Sequence, residues 1–452
     1  MDLGQIQNVY FIGIGGIGMS ALARYLKYTG RNVMGYDKSP TQLTQKLEEE
    51  GISVHYEDKI NNIPEYFTKE NTLVVVTPAV QKSHTEWKYF VQNSYPIKKR
   101  AEVLGIVTKE TYCFAVAGTH GKTTTSSILG HILFESGVEV TAFVGGIVEN
   151  YGSNLIGNGT KVTVVEADEF DRSFLQLYPD VACITSIDAD HLDIYGDKDS
   201  IEASFREFAS KVEDRNRLFV AEGVPLDGHT ISVGGSAEFS ASNIRIENGQ
   251  YLFDVKTPEG AIPDLRFKLP GRHNLSNALM ALAMATSFGI PTSHIRKALV
   301  SFNGIKRRFS YQIKSDSLVY IDDYAHHPTE IDAVHHAVRE LYPGKEVLAV
   351  FQPHLFSRTK DFADNFAKSL SNFDRVFLLD IYPAREHPME GVTSGWLLSK
   401  MENPKKRLVT KAELINAIIK SRPQVVVTLG AGDIGEMVSG IKVALLEWSA
   451  NS

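Results

Sequence analysis

Short apolar runs recur along this chain, most of them closed by a glycine-rich or polar cluster and followed by a longer helix-like segment. Val9–Ile12 reads as a strand, with a glycine turn behind it and a helix from Met19; Asn32–Tyr36 is a second strand, ending at Asp37. Thr72–Val76 reads as a fully buried parallel strand. Tyr112–Val116 opens a second block, with a glycine-rich turn and a helix over Ser126–Phe134. Strands at Val162–Val165 and Val181–Ile184 follow. A β-richer stretch over 217–268 then carries alternating patterns and an Asn248-Gly249 turn signal, before an alanine-rich helix over Asn277–Phe288. A third block repeats the alternation, with strands at Leu318–Ile321, Val347–Phe351, Val376–Leu379 and Val425–Leu429. Strand-then-helix alternation of this kind predicts parallel sheets covered by helices. The expected architecture is α/β in three domains. They are a Rossmann-like N-terminal domain (1–108), a central P-loop ATPase-type α/β domain (109–312) and a Rossmann-like C-terminal domain (313–452).

Composition narrows the function classes. A length of 452 residues suits about three domains. The net charge of −7 argues against a broad nucleic-acid surface, and no run is apolar enough to span a bilayer. The apolar stretch Val9–Ala23 lacks a basic flank and contains glycines in a fingerprint, which excludes a signal-peptide reading. Both cysteines, Cys113 and Cys183, fall inside strand-like runs, so buried thiols in a reducing cytoplasm are expected.

The chemistry concentrates at strand ends. Gly118-Thr119-His120-Gly121-Lys122-Thr123-Thr124 joins a strand to a helix, the arrangement that points backbone N–H groups and a lysine at a triphosphate. Thr123 stands where a P-loop hydroxyl meets Mg²⁺. Val116 replaces the first glycine of the standard pattern, so this is a shortened variant loop. Gly13-x-Gly15-x-x-Gly18 with Asp37 is a literal dinucleotide fingerprint. Taken alone it favours NAD, but a UDP-linked substrate offers the same diphosphate and ribose. Glu166 to Glu169 and Asp188 to His191 each follow a strand, where ligands sit in parallel α/β sheets. Glu166, His191 and Thr123 are therefore candidate Mg²⁺ ligands. Asp322 to Pro328, Gln352-Pro353-His354 and Arg358 form similar polar clusters in the third block. His335-His336 lies in a helical run without companion cysteines and reads as surface, not zinc.

These motifs together resemble the Mur ligase family of peptidoglycan synthesis over essentially the whole chain. The glycine loop at 118–124, Glu166 to Glu169, Asp190-His191, Gly271 to Asn274 with Asn277, and Arg307-Arg308-Phe309 fall in family order. Within the family the chain is most similar to the branch that adds L-alanine to UDP-N-acetylmuramate. The closest points are Gly13 to Ser20, Asp322 to Pro328, and Tyr382 to Glu386 running on to Gly391 to Ser394. The resemblance implies UDP at Gly13, Gly15, Gly16, Gly18, Met19, Ser20 and Asp37. It implies ATP at Gly118 to Thr124, with Asn274, Asn277, Arg308 and Asp323 also contacting the nucleotide, and Mg²⁺ held through Thr123, Glu166 and His191. Lys122, His191, His326 and Arg358 would be the catalytic group, with domain closure on ATP. A monomer or weak homodimer, without nucleic-acid or membrane partners, is expected. Some positions depart from the family pattern. Leu355 replaces a frequent arginine, Thr77 to Val80 and His84 to Glu86 differ from the usual sugar-site residues, and Phe205 stands where sister ligases carry a carbamylated lysine. A sister ligase for another amino acid, an NAD-dependent oxidoreductase and a non-catalytic nucleotide-binding scaffold are the alternatives.

Overall fold

The computed structural model describes residues 3–77, 80–188, 197–384 and 386–450. Among the described residues, twenty-one strands form three sheets. The first contains β1 (Asn8–Ile12), β2 (Asn32–Tyr36), β3 (Ser53–His55), β4 (Thr72–Val76) and β5 (Ile97–Lys99) in the order β3-β2-β1-β4-β5, with every pair parallel. β1 and β4 are buried at every position, which is why they read as unbroken apolar runs rather than alternating ones.

The second sheet has ten strands. They are β6 (Tyr112–Ala117), β7 (Val140–Val148), β8 (Ser153–Ile156), β9 (Val162–Ala167), β10 (Val181–Ile184), β11 (Leu218–Ala221), β12 (His229–Val233), β13 (Phe239–Glu247), β14 (Gln250–Thr257) and β15 (Gly260–Phe267). Their order is β15-β14-β13-β12-β11-β10-β6-β9-β7-β8. β6, flanked in parallel by β10 and β9, lies in its interior. Cys113 on β6 and Cys183 on β10 are fully buried, and burial pushes both thiols above their ordinary range. The turn expected at Asn248-Gly249 joins β13 to β14 with both residues at positive φ, the twist that a tight hairpin requires.

The third sheet contains β16 (Ser310–Lys314), β17 (Val319–Asp323), β18 (Val347–Phe351), β19 (Arg375–Leu378), β20 (Lys406–Leu408) and β21 (Val425–Leu429). Its order is β16-β17-β21-β18-β19-β20, parallel except for the edge strand β16. Two compact units result: Met1–Ile246 with Tyr251–Lys268 and Ser276–Asn303, and Gly304–Ser452 with Glu247–Gln250 and Leu269–Leu275.

The first unit holds two sheets. One apolar cluster runs through both, from Val9, Phe11 and Leu22 to Ala115, Val165 and Ile184. The helix Ile17–Tyr28 is the joint. Its Arg24 and the side chain of Asn154 on β8 bond each other, and Asn154 also donates to Ser20 Oγ at 2.9 Å and to the Ile17 carbonyl. Asn154 and Arg24 are buried, so each polar atom in this joint needs the partner it has.

Candidate active site

The glycine loop after β6 forms as expected, but its helix begins earlier. Lys122–Glu135 is helical from the lysine onward, with Gly121 at the N-cap in the left-handed region (φ 82°). Gly118 has φ 134°, and a Cβ there would lie 2.1 Å from Thr185 Oγ1; a Cβ at Gly121 would lie 2.5 Å from Asn277 Oδ1. Only glycine fits either place. Side chains from the next strand end brace the loop: Ser186 Oγ is 2.8 Å from Thr119 Oγ1 and accepts from His120 N at 2.9 Å. Thr119 Oγ1 accepts from Asp188 N, and His120 Nε2 lies 3.3 Å from Asp188. The cap carries no side-chain bond, so the first-turn N–H groups of the helix keep their full attraction for an anion.

β9 delivers the carboxylates. Glu166 accepts from Thr123 Oγ1 at 3.2 Å and from Ser126 Oγ at 3.3 Å, and Gly145 N on β7 donates to the same group. Burial raises the pKa of Glu166, opposed by the Gly145 N–H and by Lys122. A hydroxyl and a carboxylate oxygen this close make a hard-oxygen donor set that fits Mg²⁺. Lys122 Nζ lies 2.7 Å from Glu169. Burial alone would lower the pKa of Lys122, but Glu169, Asp168 and Glu166 together hold it above its ordinary value. Asn277 accepts from Thr125 Oγ1 at 3.3 Å, which places it beside the glycine loop. His191 falls outside the described residues.

The first glycine loop is built on the same plan. Gly13 N and Ile14 N donate to the Tyr36 carbonyl, and Gly15 N donates to Asp37 Oδ2 at 2.6 Å. A Cβ at Gly15 would collide with Asp37 and Thr44, and one at Gly18 with Arg100. Met19 and Ser20 are buried in the first turn of the following helix. Nearby, Asp58, His84 and Glu86 offer three metal-type ligand atoms within 4.8 Å of one another. Their oxygens are already committed, Asp58 to Thr85 N and Glu86 N, Glu86 to Tyr10 Oη and Lys59 N. Buried Glu86, with its pKa raised to about 7 by desolvation, therefore serves to anchor the helix Thr85–Gln92.

In the second unit, Asp323 uses both oxygens on backbone, accepting from Phe309 N at 2.6 Å and Ala325 N at 2.7 Å. Burial raises its pKa to about 6. Arg308 sits 3.9 Å from Glu330 with its guanidinium over the Tyr324 ring. Asn274 Nδ2 donates to the Pro270 carbonyl at 2.7 Å. His326 Nδ1 meets the Tyr324 carbonyl and Glu330; burial lowers its pKa, Glu330 opposes this, and Arg358 adds to the lowering. Arg358 is buried on the helix Phe356–Asp361, whose N-cap Leu355 has a positive φ of 71°. His335, read as surface, is half-buried against Phe373, and burial lowers its pKa. Phe205 packs edge-on to Phe174 in the core, so no lysine-like role is open to it.

Family profiles match three consecutive segments: the Mur ligase family catalytic domain at 8–112, the Mur ligase middle domain at 116–285, and the glutamate ligase domain at 307–432. The UDP-N-acetylmuramate–L-alanine ligase of Flavobacterium psychrophilum is 69% identical over 99% of this chain and 100% of its own. The chain belongs to the Mur ligase family. The protein of the same name from Flavobacterium johnsoniae is 68% identical, with the same coverage. Among solved structures, the Thermotoga maritima UDP-N-acetylmuramate–alanine ligase matches with a TM-score of 0.80 at 26% identity, over 98% of this chain and 100% of that one. A murein peptide ligase from Psychrobacter arcticus shares the fold, with a TM-score of 0.67 at 22% identity over 97% and 98% of the two chains. The three-domain α/β architecture expected of a Mur ligase is the one found. The motifs contain the carboxylate run 166–169, but motif pattern assigns no role to Glu169, nor to Thr185, Ser186 and Gly145. Glu169, Thr185 and Ser186 lie directly beyond strands of the central sheet, a position that signals a site, whereas Gly145 lies within β7.

Proposed function

We propose that the chain is an ATP-dependent ligase that joins L-alanine to the carboxylate of UDP-N-acetylmuramate in the synthesis of peptidoglycan precursors. Full-length identity of 69% and 68% to relatives bearing that activity in their names carries the reading. The geometry supports it through a lysine, a hydroxyl and a carboxylate gathered at one glycine loop. The first glycine loop takes the UDP moiety, with Gly15 and Asp37 near the diphosphate and ribose. No described helix is long and apolar enough to cross a membrane, which suits a cytoplasmic enzyme.

A carboxylate resists attack by an amine because its leaving group is poor. In the proposed reaction a carboxylate oxygen of the sugar attacks the γ-phosphorus of ATP, the bond to the bridging oxygen breaks, and ADP leaves. The amine of alanine then attacks the acyl phosphate carbon; phosphate departs and the nitrogen loses its proton. Such phosphoryl transfer needs chiefly alignment and charge neutralisation. Gly118 to Thr124 present backbone N–H groups to the phosphates, and Lys122 supplies a positive charge. Thr123, Glu166 and His191 would hold Mg²⁺, which would neutralise charge building on the phosphate oxygens. Asn274, Asn277, Arg308 and Asp323 are assigned to the nucleotide, and His326 and Arg358 to the amino acid, whose carboxylate suits the arginine.

The deciding assay is phosphate release from ATP in the presence of UDP-N-acetylmuramate, scanned over an amino-acid panel. Release with L-alanine, weaker with glycine and serine, is expected. Release with a different amino acid or a murein peptide alone would move the chain to a sister activity.

A further inference from the structure

Lys122 does not project freely from its loop. Its Nζ lies 2.6 Å from the Gly118 carbonyl, 3.4 Å from the Thr119 carbonyl and 2.7 Å from Glu169 Oε2, so each of its three protons faces an acceptor. Glu169 is 2% exposed and stands at the head of the 3₁₀ segment Phe170–Gln176, just beyond β9. Asp168, its neighbour, adds a further negative charge acting on the same ammonium. A buried pair of this kind persists because each charge offsets the desolvation cost of the other. A polyphosphate arriving at the loop therefore meets an ammonium that a carboxylate already holds.

We propose that Glu169 is a positioning residue that parks Lys122 against its own loop and sets the affinity for nucleotide, with phosphate oxygen displacing the carboxylate as the acceptor. The inference rests on reading 118–124 as the triphosphate cradle. Glu169 thus acts through Lys122 without touching the reacting atoms. Before nucleotide binds it keeps the ammonium aimed and prevents the long side chain from sampling other rotamers. It also taxes every nucleotide that binds, because the exchange replaces one carboxylate partner by another anion while the freed carboxylate stays in place. The idea predicts a sign that mere structural support does not produce. Removing the negative charge while preserving shape must tighten nucleotide binding.

The test is titration of the full chain with ADP in the presence of EDTA, so that no divalent metal contributes. Glu169→Gln is expected to lower the Kd for ADP by about tenfold or more, which corresponds to about 1.4 kcal/mol, with the KM for ATP falling in the same direction under turnover conditions. Glu169→Asp retains the charge on a shorter arm and should lie between the two. A folded Glu169→Gln chain that binds ADP as weakly as wild type, or more weakly, overturns the proposal. If Glu169→Gln does not fold, Glu169→Asp decides: tighter binding than wild type supports the displacement and equal or weaker binding refutes it. A wild-type chain that binds neither ADP nor ATP fails differently, since it removes the cradle reading itself.

Discussion

His131 should make the helix behind the glycine loop at 118–124 sensitive to acid. It is 1% exposed on Lys122–Glu135, with Nδ1 2.6 Å from Tyr151 Oη and Nε2 2.9 Å from Ser301 Oγ. Ser301 Oγ donates to the Ala298 carbonyl, so it accepts from Nε2–H, and the Tyr151 hydroxyl donates to Nδ1. The neutral ring satisfies both partners; a protonated ring would carry a buried charge and set two donors against each other at Tyr151. Burial pulls the pKa from its ordinary 6.5 down to about 4. The unfolded chain thus takes up a proton at 6.5 that the folded chain refuses until about 4. The associated stability is fully present above pH 6.5 and is lost as pH falls toward 4. Linkage gives a loss of about 2 kcal/mol between pH 7 and pH 5 and a ceiling of about 3.4 kcal/mol below pH 4. A chain of several domains does not unfold in one step, so the appropriate readout is local. Hydrogen exchange of the Lys122–Glu135 amides, corrected for the chemical rate, should quicken by roughly thirtyfold over that interval, the factor equivalent to about 2 kcal/mol. His131→Gln should remove the pH slope. Parallel slopes in the two proteins, or a His131 ring resonance titrating near 6.5, would refute the reasoning.

Other expectations follow from the same loop. Lys122→Ala should cost roughly 3–4 kcal/mol in transition-state stabilisation, seen as a hundred-fold or greater fall in phosphate release; turnover close to wild type would contradict the role assigned to the lysine. Glu166→Gln should raise the Mg²⁺ concentration required for half-maximal activity by about tenfold or more, and an unchanged Mg²⁺ titration would remove Glu166 from the metal. Gly118→Ala should destabilise the loop by about 2–5 kcal/mol, combining positive-φ strain with a Cβ driven into Thr185. Urea unfolding of the central domain and ADP affinity should both register it, and a neutral result would mean that the loop readily shifts.

Much of this arrangement is legible in the chain because parallel strands buried on both faces leave unbroken apolar runs. Asn32–Tyr36, Thr72–Val76, Val181–Ile184, Val347–Phe351 and Val425–Leu429 carry the bounds expected from pattern alone. The start of the loop helix was less legible. Thr123, Thr124 and Thr125 read as part of the polar loop before the helix, yet all three are helical and buried. Glu166, Asn277 and the helix carbonyls accept from the hydroxyls of Thr123, Thr125 and Ser126, partners that local propensity does not reveal. The β7–β8 hairpin was hidden by Gly145-Gly146 and by the polar turn before Asn154. The Arg24–Asn154 bond spans 130 positions, and nothing periodic announces such a pair. Glu169 stood in plain view, but its ion pair with Lys122 exists only once β9 lies beside β6.

The sealed thiols on β6 and β10 give the molecule a silent chemical background. Because Cys113 and Cys183 are the chain's two cysteines and both are fully buried, a maleimide should find no target while the central sheet is closed. One cysteine placed on the surface of either compact unit would then take a fluorophore or spin label alone, and a pair would yield distances between the units with and without nucleotide. The same thiols, left untouched, time the opening of the sheet itself: their labelling rate in denaturant reports when β6, the strand that carries the glycine loop at 118–124, first meets water.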